Sequence, residues 1–180
     1  MKFCSLCATP VVQKIPEGDS RLRYVCPGCG EIHYQNPNIV AGTIPVYENK
    51  ILLCKRAIEP RKGFWTLPAG FMENQETTTE AAVRETWEEA LARVKLGTLY
   101  TLFNIPQIDQ VHLFFLATIK DGQYGVGEES LETRLFSESE IPWDEISFPT
   151  VKKTLQYFIE DRSNQEFPLR VEDIVRDRKT

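Results

Sequence analysis

From residue 39 onward the chain alternates short apolar runs with polar punctuation. Residues 39–46 and 50–55, the latter with Ile51, Leu52, Leu53 and Cys54, have strand character, and Tyr47-Glu48-Asn49 between them has hairpin-turn chemistry. Further strands are predicted over 95–102 and 111–119. Thr77-Thr78-Thr79-Glu80 has the Thr-x-x-Glu spacing of a capping box, and a helical period of about 3.6 continues to about Ala90. Val83, Thr86 or Trp87, and Ala90 then form the face turned to the sheet. A second helix is predicted over 147–159, with Pro149 near its first turn and Val151, Leu155, Phe158 and Ile159 at helical spacing. The residues after 162 mix charge signs and read as a loosely held tail.

Composition bounds the rest. A chain of 180 residues with 42% hydrophobic content buries one ordinary core and leaves room for a small appendage. Its net charge of -5, from 21 basic and 26 acidic residues, argues against a surface that grips nucleic acid. No apolar run approaches the roughly 18 to 20 residues of a membrane span, and Met1-Lys2-Phe3-Cys4 lacks the apolar stretch of an export signal. A cytoplasmic protein is expected. Composition shifts once, near Asn36-Pro37-Asn38, so the chain is divided into residues 1–36, 37–162 and a tail of 163–180.

The first segment has too few large apolar residues to fold on a core. It has instead Cys4, Cys7, Cys26 and Cys29, two Cys-x-x-Cys pairs whose four thiolates can converge tetrahedrally on zinc at about 2.3 Å. Metal binding then replaces the missing core. Four thiolates leave no open coordination position, so this metal, zinc with iron in the same thiolate set as its main rival, is structural. Cys54, alone in an apolar strand, is a buried small hydrophobe.

The richest pattern runs from Gly70 through Glu76 to Arg84-Glu85-Thr86-Trp87-Glu88-Glu89. On a helix Glu85, Glu88 and Glu89 stand at i, i+3 and i+4 and share one face, where like charges repel by a few tenths of a kcal/mol per pair. A hard divalent cation, Mg²⁺ or Mn²⁺, offsets that cost, because it takes oxygen ligands and tolerates substrate phosphates in the same shell. Arg84 can hold one glutamate through a bidentate pair. Lys55 and Arg56 at the end of a strand are candidates for phosphate contacts, Trp65 for stacking on a base, and Phe103 for a further substrate contact.

Gly70-x5-Glu76-x7-Arg84-Glu85-Thr86-x-Glu88-Glu89 resembles the Nudix box. An aliphatic residue usually stands where Thr86 is, and the box's late glycine is Leu91 here. The resemblance implies an α/β fold, a mixed β-sheet sandwiched between helices, and hydrolysis of nucleoside diphosphates linked to another moiety. It implies that Glu85, Glu88 and Glu89 bind metal, assisted by the Gly70 carbonyl and Glu76, that Arg84 orients a glutamate, and that Glu129 in a late acidic loop serves as base or ligand. A ribbon ahead of such a domain resembles the NADH pyrophosphatases, but their Ser-Gln-Pro-Trp-Pro-Phe-Pro element is absent from Leu102-Phe103-Asn104-Ile105-Pro106-Gln107. The chain is more similar to the plant chloroplast Nudix enzymes that hydrolyse FAD and ADP-ribose, through Trp65-Thr66-Leu67-Pro68-Ala69-Gly70 and Glu129-Ser130-Leu131-Glu132 among other stretches. The resemblance thus implies FAD and ADP-ribose as substrates and a homodimer as the assembly. NADH pyrophosphatase, a house-cleaning hydrolase of nucleoside triphosphates, and a nucleotide-sensing or RNA-binding regulator are the alternatives.

Overall fold

The computed structural model describes residues 1–175; residues 176–180, the end of the expected tail, lie outside the described residues. The chain divides after Asn36 into two compact units.

In the first unit β1 (Val12–Lys14), β2 (Arg23–Val25) and β3 (Ile32–His33) form a small antiparallel sheet. Its buried apolar side chains are few, Cys4, Pro16, Val25 and Cys26, while Phe3, Leu6, Ile15 and Leu22 stand exposed. So small a core does not order a chain of this length without a cross-link.

The second unit begins with the hairpin that the pattern predicts, β4 (Asn38–Tyr47) and β5 (Lys50–Arg56). Glu48 and Asn49 between them take φ of 45° and 65°, the left-handed conformation that a tight hairpin turn requires. The short strands β6 (Trp65–Thr66) and β7 (Ala69–Phe71) pair with β5 and β4. With β8 (Val94–Ile105), β9 (Gln110–Ile119), β10 (Ser130–Phe136) and β11 (Arg170–Asp173) the main sheet has the order β10-β5-β4-β9-β8-β11. β4 runs parallel to β9, and β8 to β11; the other neighbours are antiparallel, so the sheet is mixed.

Two helices, α1 (Thr78–Ala90) and α2 (Pro149–Asn164), cover opposite faces of this sheet. Strand alternation sorts the side chains between them: Ile51 and Leu53 pack with Val151, Leu155 and Phe158 of α2, and Leu52 and Cys54 pack with Ala90 of α1. The expected α/β sandwich is the fold observed.

The capping box forms as the spacing predicts. Thr77 Oγ1 accepts from the Glu80 N–H at 3.2 Å, and Glu80 accepts from the Thr77 N–H at 2.8 Å. The buried face of α1 differs from the expectation: Ala81, Ala82, Thr86, Glu89 and Ala90 face inward, whereas Val83 and Trp87 are 38% and 44% exposed. Small residues let the helix lie close to β4, and Thr86 replaces an aliphatic contact with a hydroxyl pair, its Oγ1 lying 2.6 Å from Thr43 Oγ1 and donating to the Ala82 carbonyl at 2.7 Å.

The tail also needs correcting. α2 continues to Asn164, and Arg170–Asp173 adds a parallel strand rather than hanging loose. Its charges hold it: Arg170 pairs with Asp161, which also accepts from the Tyr100 hydroxyl at 2.6 Å, and Asn104 donates to Asp173 at 2.9 Å.

Candidate active site

In the first unit the sulfurs of Cys4, Cys7, Cys26 and Cys29 all lie within 4.8 Å of one another. Cys4 and Cys29 are 3.7 Å apart and Cys7 and Cys26 3.4 Å. Tetrahedral bonds of about 2.3 Å would put thiolates roughly 3.8 Å apart, so the set fits zinc. Backbone N–H groups of Leu6 and Cys29 point at the Cys4 and Cys26 sulfurs, at 3.4 and 3.5 Å, and Thr9 beside Cys7 draws its thiol down to about 6. The N–H contacts favour the thiolates that a metal needs, while the neighbouring sulfurs of the same set push the Cys29 thiol up to about 12.

In the second unit Arg84 is the hub of the acidic helix. Its Nε and Nη2 grip the two oxygens of Glu76 at 2.6 and 2.9 Å, Nη1 donates to Glu85 at 2.6 Å and Glu88 at 2.9 Å, and Nη2 also reaches the Phe71 carbonyl at 3.1 Å. This bidentate pair, with the Glu73 N–H, holds the Glu76 carboxyl down to about 2. Glu76 therefore anchors Arg84, and both its oxygens are engaged in hydrogen bonds.

The other glutamates are less satisfied. Glu89 is 5% exposed, and its Oε2 is buried with no hydrogen-bond partner. Burial, reinforced by the charge of Glu85, pushes its carboxyl up to about 8. Burial also raises Glu85, against the pull of Arg84. An orphaned carboxylate oxygen beside a second carboxylate is the donor chemistry that a hard divalent cation completes. Among the described residues only the cysteine set has ligand atoms gathered within 4.8 Å; Arg84 draws Glu85 and Glu88 toward itself instead.

Two close approaches shape the site, and the second, against backbone, requires glycine. A Cβ on Gly70 would collide with the Glu85 carboxylate, and one on Gly127 would collide with the backbone at Glu88 and Glu89. Through the second contact the loop before β10 docks on the end of α1, with Gly125 N–H donating to the Ala90 carbonyl at 2.7 Å and Gly127 N–H to Glu89 at 3.1 Å. That docking brings Glu129 to the carboxylates, near enough for its charge to raise both Glu85 and Glu89.

Gly70, Arg84, Glu85, Glu88, Glu89 and Glu129 all line one cavity of about 1210 Å³, as does Arg56. Of the other candidates, Glu76, Lys55, Trp65 and Phe103 do not. Lys55, one residue from Arg56 on β5, points to the opposite side, over the Trp65 ring and 4.0 Å from Glu132. Trp65 is buried edge-on against Phe136 in the core, and Phe103 is wholly buried in β8. Gln107, Gln110, His112, Phe148 and Thr150 line the cavity and were missed. A signal existed, since Gln110 and His112 recur at alternate positions beside the apolar run Leu113-Phe114-Phe115.

Comparison with known proteins agrees with this geometry. The family model described as Nudix N-terminal, a zinc-ribbon family, matches residues 2–35, and the NUDIX domain model matches 37–159. A crystal structure of a NUDIX hydrolase from Nitrosomonas europaea superposes with a TM-score of 0.91 at 50% identity, covering 97% of this chain and 100% of that one. The ADP-ribose pyrophosphatase of Methanocaldococcus jannaschii is 33% identical over 113 residues, 61% of this chain and 67% of that protein. The NAD-capped RNA hydrolase NudC of Chromobacterium violaceum is 37% identical over 95 residues, 52% of this chain but only 34% of that protein. Because the NUDIX match runs from β4 into α2 and takes in the whole carboxylate helix, the chain belongs to the NUDIX family and is a Nudix hydrolase with an N-terminal zinc ribbon.

Proposed function

We propose that the chain hydrolyses the pyrophosphate bond of an adenosine diphosphate derivative, FAD and ADP-ribose foremost, releasing AMP. The observation that carries this reading is the placement of Glu85, Glu88, Glu89 and Glu129 with Arg56 on one cavity large enough for a dinucleotide. Glu85, Glu88 and Glu89, with the Gly70 carbonyl, are the residues that would hold Mg²⁺ or Mn²⁺. When bound, the cation supplies charge neutralisation on the phosphate oxygens and lowers the pKa of water.

The protein's own groups do the rest. Arg84 fixes the carboxylates in register, since one guanidinium holds Glu76, Glu85 and Glu88 together. Arg56, whose Nε is tied to the Pro60 carbonyl at 2.9 Å and whose guanidinium lies over Phe148, presents its other N–H groups to a phosphate. Glu129, exposed on its loop, accepts a proton from the attacking water. The ribbon's closed thiolate site takes no part in the chemistry.

The five cysteines without disulfides fit a reducing, cytoplasmic setting, and the assembly we infer is a homodimer. The likeness to NudC favours a second reading, hydrolysis of an NAD-type pyrophosphate, in which the adenosine half is the same and the other half differs. A panel of FAD, ADP-ribose, NADH and nucleoside triphosphates, with products resolved by chromatography, separates the readings. FMN with AMP, and ribose 5-phosphate with AMP, are the products expected. Pyrophosphate released from a triphosphate, with the dinucleotides untouched, would refute the proposal.

A further inference from the structure

Across the sheet the cavity changes character. Toward β5, β7 and α1 its walls carry arginine and glutamate, whereas toward β8, β9 and β11 the lining from Ile105, Gln107, Ile108, Gln110, His112 and Ile174 includes no acidic or strongly basic side chain. Burial draws the His112 imidazole down to about 4, so it is neutral near pH 7.

A hydrogen bond fixes the direction of the Gln107 amide, and the structure places the Gln110 amide oxygen against His112. Gln107 Nε2 donates to the Ile174 carbonyl at 2.7 Å, which leaves Gln107 Oε1 as an acceptor. Gln110 Oε1 lies 2.9 Å from His112 Nε2 and can only accept there, so His112 Nε2 carries the proton. His112 Nδ1 is then the acceptor for the Thr150 hydroxyl at 3.1 Å, and the Gln110 amino group is left as a donor. Gln107 follows Ile105, the register partner of Gln110, in the tight connection between β8 and β9. An acceptor and a donor at one connection, within apolar walls, suit a flat uncharged ring that carries an exocyclic amine beside a ring nitrogen.

We propose that this end of the cavity is an adenine pocket, in which Gln107 Oε1 accepts from the exocyclic amine and the Gln110 amino group donates to the adjacent ring nitrogen. His112 is a positioning residue that holds Gln110 in its donor orientation. The proposal rests on the pyrophosphatase reading of the same cavity and specifies which half of the substrate that cavity recognises. Hypoxanthine, with a carbonyl oxygen in place of the amine, would set an acceptor against the Gln107 acceptor.

The test is binding without turnover, by calorimetry on the full chain with AMP, IMP and base-free ribose 5-phosphate. Wild-type protein should bind AMP at least about tenfold more tightly than IMP, the order of discrimination that paired amide contacts to a base provide. Gln110→Glu turns the donor into an acceptor and should abolish that preference, since the new carboxylate then favours the protonated ring nitrogen of IMP while Gln107 still favours the amine of AMP. Gln107→Met, at an exposed position where folding is not at risk, should lower the ratio severalfold while ribose 5-phosphate affinity holds. His112→Leu should also collapse the ratio, because the amide is then free to turn. AMP and IMP bound alike by wild type, or a ratio unmoved in all three variants, overturns the pocket. If ADP-ribose is cleaved while AMP and IMP bind alike, the pocket is wrong and the hydrolase reading stands; if AMP is preferred but no pyrophosphate is cleaved, the pocket stands and that reading falls.

Discussion

Thr86 stands where the Nudix box usually has an aliphatic residue, and its effect on stability follows from its partner on β4. Its hydroxyl donates to the Ala82 carbonyl and receives the Thr43 hydroxyl, and both side chains are fully buried. The two single substitutions are therefore unequal. In Thr43→Val, Thr86 keeps its bond to Ala82, and the loss is one neutral hydrogen bond, about 0.5–1.5 kcal/mol. In Thr86→Val, the Thr43 hydroxyl is left buried without a partner, and the cost is about 1–3 kcal/mol. The double variant removes both hydroxyls and restores the family's apolar contact, so it should be about as stable as wild type, giving a coupling energy of about 1.5–4.5 kcal/mol, the sum of the two single losses. Urea unfolding of the four proteins, with slopes checked for constancy, measures this. Additive losses, or a Thr86→Val no worse than Thr43→Val, would refute the reasoning.

Further outcomes follow from three named groups. On the proposed function Glu89→Gln should lower kcat by about a hundredfold or more, because it removes a charge that would hold the cation without changing shape. The same variant tests the pKa: a carboxyl raised from 4.5 to about 8 in the folded state stabilises the protein below pH 4.5 and loses that contribution as pH rises through 8. In metal-free buffer wild type should thus lose up to about 4 kcal/mol relative to Glu89→Gln between pH 4.5 and 8, and parallel profiles would show that Glu89 is not protonated. Cys26→Ser should release about one zinc per chain and loosen residues before Asn36, and unchanged zinc by elemental analysis would remove Cys26 from the ligand set. Leu91 ends α1 with φ of 47°, where a side chain is strained, so Leu91→Gly should raise stability by up to about 1 kcal/mol, measured as a higher unfolding midpoint.

The features legible in the sequence are the local ones. Capping box, hairpin turn and paired cysteines each declare themselves within a few residues, and each forms as spaced. What spacing could not decide was which partner a polar group finds across the fold. Glu76 stands where the box puts a ligand, yet Arg84, eight residues on, takes both its oxygens. Lys55 and Arg56 are chemically alike, and only the two-residue period of β5 sends one to the cavity and the other to Trp65. β11 has no apolar alternation to reveal it, because partners on α2 and β8 hold its charged side chains. Trp87 illustrates the converse, a large apolar residue left outside because alanines allow α1 to approach the sheet more closely.

The central claim is cation-dependent cleavage of a pyrophosphate by the α1 carboxylates. Phosphorus NMR of ADP-ribose incubated with metal-stripped protein tests it most directly. On adding Mg²⁺ or Mn²⁺ the pyrophosphate signals should give way to the two monoester signals of AMP and ribose 5-phosphate, and with Glu89→Gln they should persist. An intact pyrophosphate after cation addition, or equal cleavage by Glu89→Gln, would contradict the account.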